Sequence, residues 1–404
     1  MLEVTAAKRA NARAAWAAVT SYLDAMWNDM AEPRAAYCNG KTYLAWVGSD
    51  GHVRVAQYVH STNALSTPVD LITTTSTDGI IHNSPAVCVR SSDRKIVVAV
   101  CQNKSTGDTP RVYISTNAED ASAFGVAVNV GSAVTSPTYP SLTEMGSDLY
   151  CWFRRYDAPT FHTGFHKSTD GGATWGGWTP ILSPVTTNAQ YHRIGTNGNR
   201  VDIFTTDTDR SAGNESAVYH MYLAGTTLYK SDGATIGAVG SGPYAANTGT
   251  LVQSNSLGAA RAAGWSYDGS GNPCALILVN SGGTTTLARH ARWTGSAWSV
   301  NAIADAGGII GGNVYIGSGA MAKADPWTVY LSKKIGDHFE MWRYVSADSG
   351  ATWTGIALTA GTQCEDHAMP DTPFNAASGL VALWALGRYA SDTSYRFELV
   401  RSPA

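Results

Sequence analysis

Short apolar segments separated by turn residues recur along the whole chain. Seven of them are similar in length and read KTYLAWV (from residue 41), KIVVAVC (95), DLYCWFR (148), RVDIFTT (200), PCALILV (273), WTVYLSK (327) and LVALWAL (380). Each follows a turn signal, such as Asn39-Gly40 before the first segment and Gly146-Ser147 before the third. An apolar run after such a turn is typical of the returning strand of a β-hairpin. The pattern therefore predicts an all-β protein.

The spacing of these segments indicates a repeat. Successive segments start about 53 residues apart, with one longer interval of about 73 residues. A period of about fifty residues with several strands per unit is typical of a β-propeller. We therefore expect a seven-bladed β-propeller over residues 34–404. The longer interval predicts an insertion within residues 231–264, where Gly, Ala and Ser are frequent and a loop is expected.

Residues 1–33 follow a different pattern. Alanine is frequent before Pro33, which predicts a short N-terminal helical extension ahead of the propeller domain. Glu3 lies early and no uninterrupted apolar core follows, so the segment does not resemble a secretory signal. We expect either a removed leader or export by another route, and therefore an extracellular or virion-associated protein. No apolar run is long enough to span a bilayer.

Composition narrows the function classes. Charged residues make up 15% of the chain and the net charge is −3. No global basic field would attract nucleic acid or a membrane surface, so an anionic polymer would need a local binding cluster. The six cysteines show no C-x-x-C spacing that would indicate a zinc site. We predict no nucleic-acid or membrane partner, and the oligomeric state is not specified by the sequence.

One short motif occurs twice. Ser168-x-Asp170-x-Gly172-x-Thr174-Trp175 is repeated in the same form at residues 346–353. The Ser and Asp side chains are suited to accept hydrogen bonds from turn backbone, and Trp to anchor the turn on a sheet. The motif is typical of the "Asp box" turns of sialidase-type blades. It indicates structure rather than catalysis.

Candidate chemistry is concentrated in three consecutive hairpins. If the turn of the third hairpin centres on Ser147, Tyr139 and Arg155 lie opposite each other at its open end. Equivalent strand ends of neighbouring blades converge at one end of a propeller channel. The residues expected at that rim are His82, Gln102, Asn103, Tyr139, Arg155, Tyr191, His192 and Arg193.

These stretches carry a family resemblance. The segments DGIIHNSPAVCV, TYPSLTEMGSDLYCWFRR, VYHMYLAGTTLYKSDG and LWALGRYASDTSYRFELV, with both Ser-x-Asp motifs, resemble the BNR-4 propeller group. That group includes the ulvan lyases of polysaccharide lyase families twenty-four and twenty-five. The resemblance covers the chain from about the first hairpin to the C-terminus. It implies that His82, Tyr139 and Arg155 form the active site.

The sequence departs from that group at two points. A second catalytic His would fall at Gln102 or Asn103, where this chain has an amide. The structural zinc of the group also has no convincing Cys/His set here, because Cys274 alone does not make a site. A structural metal ion therefore has no supporting ligand set, and the chemistry implied by the resemblance requires no cofactor.

The implied reaction is β-elimination on a uronic-acid unit of an anionic polysaccharide. Arg155 would bind the carboxylate through two parallel hydrogen bonds, and Tyr139 would transfer the proton. His82 would act either as the partner acid or base or as a carboxylate neutraliser. Gln102, Asn103, Tyr191, His192 and Arg193 would contact substrate. Each of these side chains also has a structural interpretation: it could pack in the core, form a surface ion pair or donate a hydrogen bond to a backbone carbonyl.

Two other function classes stay open. A sialidase-type glycoside hydrolase would need an arginine triad, a Tyr/Glu nucleophile pair and an Asp acid, and the sequence does not supply that set. A non-catalytic glycan-binding propeller, part of a phage tail or a cell surface, would bind sugar without cutting it. The missing second His is compatible with this alternative.

Overall fold

The structure is a computed structural model. It describes residues 17–18, 30–48, 50–73, 82, 84–101, 107–186, 189–208, 216–281, 285–309, 319–361, 365–376, 382–391 and 394–401. These residues form seven mainly antiparallel sheets arranged as the blades of a propeller. The all-β, seven-bladed architecture predicted from the repeat is confirmed.

The strands of the first four blades follow in chain order. The first strand is β1 (Ala17–Ala18). Blade 1 contains β2 (Ala35–Cys38), β3 (Lys41–Val47), β4 (His52–Val59), β5 (Ala64–Leu65) and β6 (Val69–Thr73). Blade 2 contains β7 (Ala86–Val89), β8 (Lys95–Val100), β9 (Arg111–Ala118) and β10 (Val128–Asn129). Blade 3 contains β11 (Thr135–Met145), β12 (Asp148–Asp157), β13 (Thr160–Ser168) and β14 (Thr179–Ser183). Blade 4 begins with β15 (His192–Thr196), β16 (Arg200–Thr206) and β17 (Val218–Ala224).

The remaining elements complete the ring. Blade 4 continues with β18 (Thr227–Lys230). The insertion that follows contains β19 (Thr235–Ala238), β20 (Tyr244–Ala245), β21 (Thr250–Gln253) and two 3-10 turns, Ala246–Thr248 and Asn255–Leu257. Blade 5 contains β22 (Ala259–Tyr267), β23 (Pro273–Ser281), β24 (Thr285–Trp293) and β25 (Trp298–Asp305). Blade 6 contains β26 (Gly319–Ala322), β27 (Asp325–Ile335), β28 (His338–Val345) and β29 (Thr354–Ala357). Blade 7 contains β30 (Asp366–Asp371), β31 (Leu383–Ser391) and β32 (Ser394–Arg401).

The seven repeated apolar segments are the second strands of the seven blades. They correspond to β3, β8, β12, β16, β23, β27 and β31. In a propeller the second strand is covered on both faces by the neighbouring blades, so its side chains are apolar at almost every position. In β3, for example, the six residues after Lys41 are all buried. This double burial explains why the repeat is visible in the sequence.

The predicted N-terminal helix is not supported. Ala17–Ala18 form a strand that pairs antiparallel with Arg401 and Val400 and so adds a fourth strand to blade 7. The edge of β32 offers unpaired backbone groups, and β1 satisfies some of them. Residues 30–33 are also not helical, and the rest of the predicted helix lies outside the described residues. No helix in the described part of the chain is long and apolar enough to cross a membrane.

Residues 30–34 lie buried in the centre of the ring. Glu32 forms an isolated parallel bridge with Ser141 of blade 3. The Val87 amide of blade 2 donates a hydrogen bond of 2.6 Å to the Pro33 carbonyl. The Arg34 guanidinium binds Asp371 of blade 7 at 2.8 Å. The segment therefore contacts the innermost strands of several blades, and the predicted domain boundary after residue 33 falls inside it.

The insertion in blade 4 is not a loop. β20 pairs in parallel with β14 of blade 3, and β21 pairs with β17 of blade 4. Ile236, Val239 and Tyr244 pack against the apolar core shared by blades 3 and 4. Although Gly, Ala and Ser are frequent here, these three apolar side chains order the segment against the two blades.

The two repeated Ser-x-Asp turns have the same hydrogen bonds. The Ser168 hydroxyl accepts from the Gly172 amide at 2.8 Å, and the Asp170 carboxylate accepts from the Thr174 amide at 2.9 Å. The turn at residues 346–353 repeats both contacts, each at 2.8 Å. Hydrogen bonds from Thr174 and Ser168 lower the pKa of Asp170 to about 2. The Ser and Asp side chains therefore form hydrogen bonds within their own turn.

Candidate functional site

A bulged strand places the central residue of the site. The β11–β12 hairpin pairs Met145 with Asp148, so its turn consists of Gly146 and Ser147. Further out, Thr138 pairs with Arg154, with register shifts on both sides of that pair. Tyr139 lies in the bulge with a φ of 60°, a backbone conformation that is uncommon for a residue with a large side chain. Such bulges re-aim a side chain, here toward the centre of the ring.

The predicted pairing of Tyr139 with Arg155 is therefore wrong. The turn has two residues rather than one central residue, which shifts the register by one position. Because neighbouring residues of a strand point to opposite faces, this shift exchanges Arg155 for Arg154. The guanidinium carbon of Arg154 lies 4.6 Å from the centre of the Tyr139 ring.

Three side chains from three consecutive parts of the ring meet around this tyrosine. The His82 ring lies 5.5 Å from the Tyr139 ring, between centroids, and the Tyr191 ring lies 5.9 Å from it. Arg154 is 5.0 Å from the centre of Tyr191. We call His82, Tyr139, Arg154 and Tyr191 the Tyr139 site. The predicted convergence of His82, Tyr139 and Tyr191 is thus present in the structure.

Neutral groups help to hold Arg154 in place. One of its terminal nitrogens donates a hydrogen bond of 3.2 Å to the Gln190 carbonyl. Its guanidinium also lies 4.8 Å from the centre of the Phe161 ring. Cation–π contacts and one carbonyl fix the orientation of the group. A guanidinium fixed in this way is suited to bind a carboxylate.

His192 does not lie on an open rim. It is buried, and its Nδ1 is hydrogen bonded to the Thr163 hydroxyl at 3.1 Å. Burial, together with the positive charge of Arg154, lowers the pKa of His192 to about 3. The imidazole is therefore neutral at pH 7. Its hydrogen bond to Thr163 joins β15 to β13.

Arg155 points away from the Tyr139 site. Its Nε donates a hydrogen bond of 2.9 Å to the Asp157 carboxylate, and its guanidinium carbon lies 4.3 Å from the centre of the Trp178 ring. His162 also contacts Asp157, at 3.4 Å. The structure therefore places Arg155 in a partly exposed ion-pair group on the other face of β12.

Arg193 belongs to a separate buried cluster. Its guanidinium binds the Glu32 carboxylate at 2.7 Å, and Lys323 binds the same oxygen at 3.3 Å. The Trp265 indole also donates a hydrogen bond to Glu32. Burial opposes ionisation of Glu32, but the charges of Lys323 and Arg193 outweigh it and hold its pKa below the usual value. We call these four residues the Glu32 cluster.

Sequence reasoning missed the positions of Arg154, Met30 and Glu32. A two-residue turn at Gly146-Ser147, a common hairpin connection, would have paired Arg154 with Tyr139. Met30 and Glu32 gave no local signal, because their partners are far away in the chain. Gln102 and Asn103 lie outside the described residues.

The zinc implied by the resemblance finds no matching residues in the part of the chain that the structure describes. No group of three His, Cys, Asp or Glu side chains there could hold a metal ion. Burial raises the pKa of the Cys274 thiol to about 12. Metal binding requires a thiolate, so this residue is poorly suited as a ligand.

The opposite end of the channel contains a cavity of about 640 Å³. It lies where β2, β7, β11, β15 and β22 end, whereas the Tyr139 site lies where β11 and β15 begin. Its walls include four aromatic side chains: Tyr37, Trp265, Tyr267 and Phe374. Residues 30–34 therefore lie between the Tyr139 site at one end of the channel and this cavity at the other end.

Comparison with known proteins places the chain in a family. Residues 41–306 match the family model BNR_4, described as BNR repeat-containing family member. This match spans more than half of the chain, which therefore belongs to that family. No curated protein sequence matches.

Solved structures share the fold. A PL25 ulvan lyase bound to -[GlcA(1-4)Rha3S]- has a TM-score of 0.72 and 17% sequence identity, covering 95% of this chain and 94% of that chain. The polysaccharide lyase Uly1 has a TM-score of 0.62 and 11% identity, covering 95% of this chain and 90% of that chain. At these identities the likeness establishes the seven-bladed fold and not the activity.

Proposed function

We propose that this protein is a polysaccharide lyase that cleaves a uronate-containing polysaccharide by β-elimination at the Tyr139 site. The observation that carries the proposal is the convergence of His82, Tyr139, Arg154 and Tyr191 at one end of the channel. The fold shared with two polysaccharide lyases supports it. We propose an ulvan-like or rhamnose–glucuronate polymer as the substrate, and action outside the cell or on a virion.

The reaction has two proton transfers and one bond cleavage. A base takes the proton from C5 of the uronate, and the electrons of that C–H bond form the C4–C5 double bond. The C4–O bond breaks, and the leaving oxygen receives a proton from an acid. Negative charge grows on the carboxylate while the C5 proton leaves, so a fixed cation at the carboxylate lowers the barrier.

The geometry suggests one role for each side chain. Arg154 binds the uronate carboxylate, because its guanidinium is already oriented beside Tyr139. Tyr139 serves as the base, the acid or both, and His82 serves as the partner acid or base or, where Tyr139 does both, as a further carboxylate ligand. Tyr191 offers an aromatic wall for the sugar ring. We keep Arg155 as the competing carboxylate ligand, since the family resemblance names it.

The decisive experiment incubates the protein with a panel of uronate polysaccharides and records ultraviolet absorbance. Elimination creates a double bond conjugated to the carboxylate, a chromophore that hydrolysis cannot make. An absorbance rise that is lost in Tyr139→Phe would support the lyase. Shorter polymers without a rise would indicate a hydrolase and overturn the proposal.

A second candidate is a non-catalytic glycan-binding propeller. It is favoured by the cavity at the opposite end of the channel, whose aromatic side chains are suited to stack on sugars. This alternative predicts that oligosaccharides bind without being shortened. Binding would then weaken in a Phe374→Ala variant and remain unchanged in Tyr139→Phe.

A further inference from the structure

The Met30 side chain covers the residue to which we assign proton transfer. Met30 is buried and forms one apolar cluster with Tyr139 and Tyr191. Tyr139 itself has a relative exposure of 0%. A proton-transfer residue must come within hydrogen-bonding distance of the atom that it serves. A sugar can therefore reach Tyr139 only if a side chain packed against it moves.

The chain just after Met30 is fixed to blade 3. The Glu32 amide donates a hydrogen bond of 3.2 Å to the Pro140 carbonyl, and the Leu142 amide donates one of 2.9 Å to the Glu32 carbonyl. The Glu32 carboxylate is held by Arg193 and Lys323. Residue 32 is thus anchored by backbone and charge.

The backbone of Tyr191 is also fixed. Its amide donates a hydrogen bond of 2.8 Å to the Thr206 hydroxyl, and the Thr206 amide donates one of 2.8 Å to the Tyr191 carbonyl. Its aromatic ring has only two side-chain torsions, whereas a methionine side chain has three rotatable bonds and adapts readily. Of the three clustered side chains, Met30 is the one best suited to move aside.

We propose that Met30 is a gate over the Tyr139 site, anchored by the Glu32 cluster, and that a uronate sugar must displace it. In the closed state the thioether occupies the place of the sugar ring beside Tyr139 and Tyr191. In the open state Met30 swings away while Glu32 stays in place. This inference deepens the proposed function and rests on it for the identity of the incoming ligand.

The gate can be tested without any activity, by chemical labelling of tyrosine. Tetranitromethane nitrates accessible tyrosines, and peptide mass mapping gives the rate for Tyr139. A ligand-competent state that is rarely populated becomes more accessible when the side chain that blocks it is removed. We expect Met30→Ala to raise the nitration rate of Tyr139 about tenfold. Met30→Leu, with similar volume and fewer rotatable bonds, should not raise the rate above that of the wild type.

Two controls separate gating from loosening of the fold. Tyr43, which has a relative exposure of 0% in blade 1, should stay equally unreactive in all variants. Met145→Ala removes a different methionine, the last residue of β11 at the hairpin turn, and should leave Tyr139 unreactive. Equal Tyr139 rates in wild type and Met30→Ala would overturn the gate. A parallel rise at Tyr43 would also overturn it, because the effect would then be general unfolding.

Activity provides the second part of the test. With a polymer that the wild type cleaves, Met30→Ala should increase kcat/KM about three- to tenfold, since less of the protein is closed. A decrease in kcat/KM would show that Met30 helps to bind the sugar and would overturn the gate. If no polymer is cleaved by any variant, the proposed function fails while the nitration rates still decide the gate.

Discussion

The guanidinium carbon of Arg154 lies 4.6 Å from the centre of the Tyr139 ring, although Thr138 is its partner in the strand pairing. The two-residue turn of the hairpin brings Tyr139 close to Arg154, and the bulge at Tyr139 moves the strand pairing to Thr138. Of the two adjacent arginines, Arg154 and not Arg155 is therefore the neighbour of Tyr139, the proposed proton-transfer residue.

Arg154→Ala should lower kcat/KM on a uronate polymer by about 10²–10³, because the growing charge on the carboxylate loses its fixed donor. Arg155→Ala is the matched control, since it removes a neighbouring arginine whose contacts are Asp157 and Trp178. We expect it to change kcat/KM less than threefold, because it lies outside the Tyr139 site. The measurement is the initial rate of ultraviolet absorbance increase. If Arg155→Ala lowered kcat/KM more than Arg154→Ala, Arg155 would be the residue that binds the uronate carboxylate, as the family resemblance implies.

Tyr139→Phe should lower kcat by about 10²–10⁴, the range for loss of a general acid or base. The ring stays, so its contacts with Met30, Arg154 and Tyr191 are retained. We therefore expect an unchanged circular dichroism spectrum and near-wild-type binding of oligosaccharides. A variant that retains most of the wild-type kcat would assign proton transfer to another group, of which His82 is the nearest.

The sequence predicted those parts of the fold that repeat. The second strands are apolar because they are covered on both faces, and that property is visible in one chain. The bulge at Tyr139 is not predictable in this way, because a non-glycine residue with a φ of 60° follows no local preference. The same holds for Glu32, whose partners Arg193 and Lys323 lie 161 and 291 positions away. Pairwise tertiary contacts of this kind leave no periodic signal.

Glu32→Gln should destabilise the fold by about 3–5 kcal/mol, because it leaves Arg193 and Lys323 buried together without their shared carboxylate. The measurement is the midpoint of denaturant unfolding. Asp157→Asn is the control, since it breaks the partly exposed pair with Arg155 and should cost less than about 1 kcal/mol. Equal effects of the two substitutions would show that residues 30–34 are not an anchor.

Stability should fall as the pH is lowered from 7 to 5, because three buried imidazoles resist protonation in the folded state. Burial lowers the pKa of His192 and His367 to about 3 and that of His290 to about 4. In the unfolded chain each titrates near 6.5. Between these values the unfolded state binds more protons, so the free energy of unfolding is largest above pH 6.5 and decreases below it.

The size of this effect can be checked on one histidine. Each imidazole that stays neutral costs about 1.4 kcal/mol per pH unit, so the three together reduce stability by about 4 kcal/mol per unit between pH 6 and 5. His290 contacts the Pro326 carbonyl and the rings of Trp327 and Trp353, away from the Tyr139 site. His290→Gln should therefore reduce the slope of unfolding free energy against pH by about 1.4 kcal/mol per pH unit, even where it lowers stability at pH 7. A wild-type slope near zero over this range would contradict the assignment, because it would mean that these imidazoles become charged inside the folded protein.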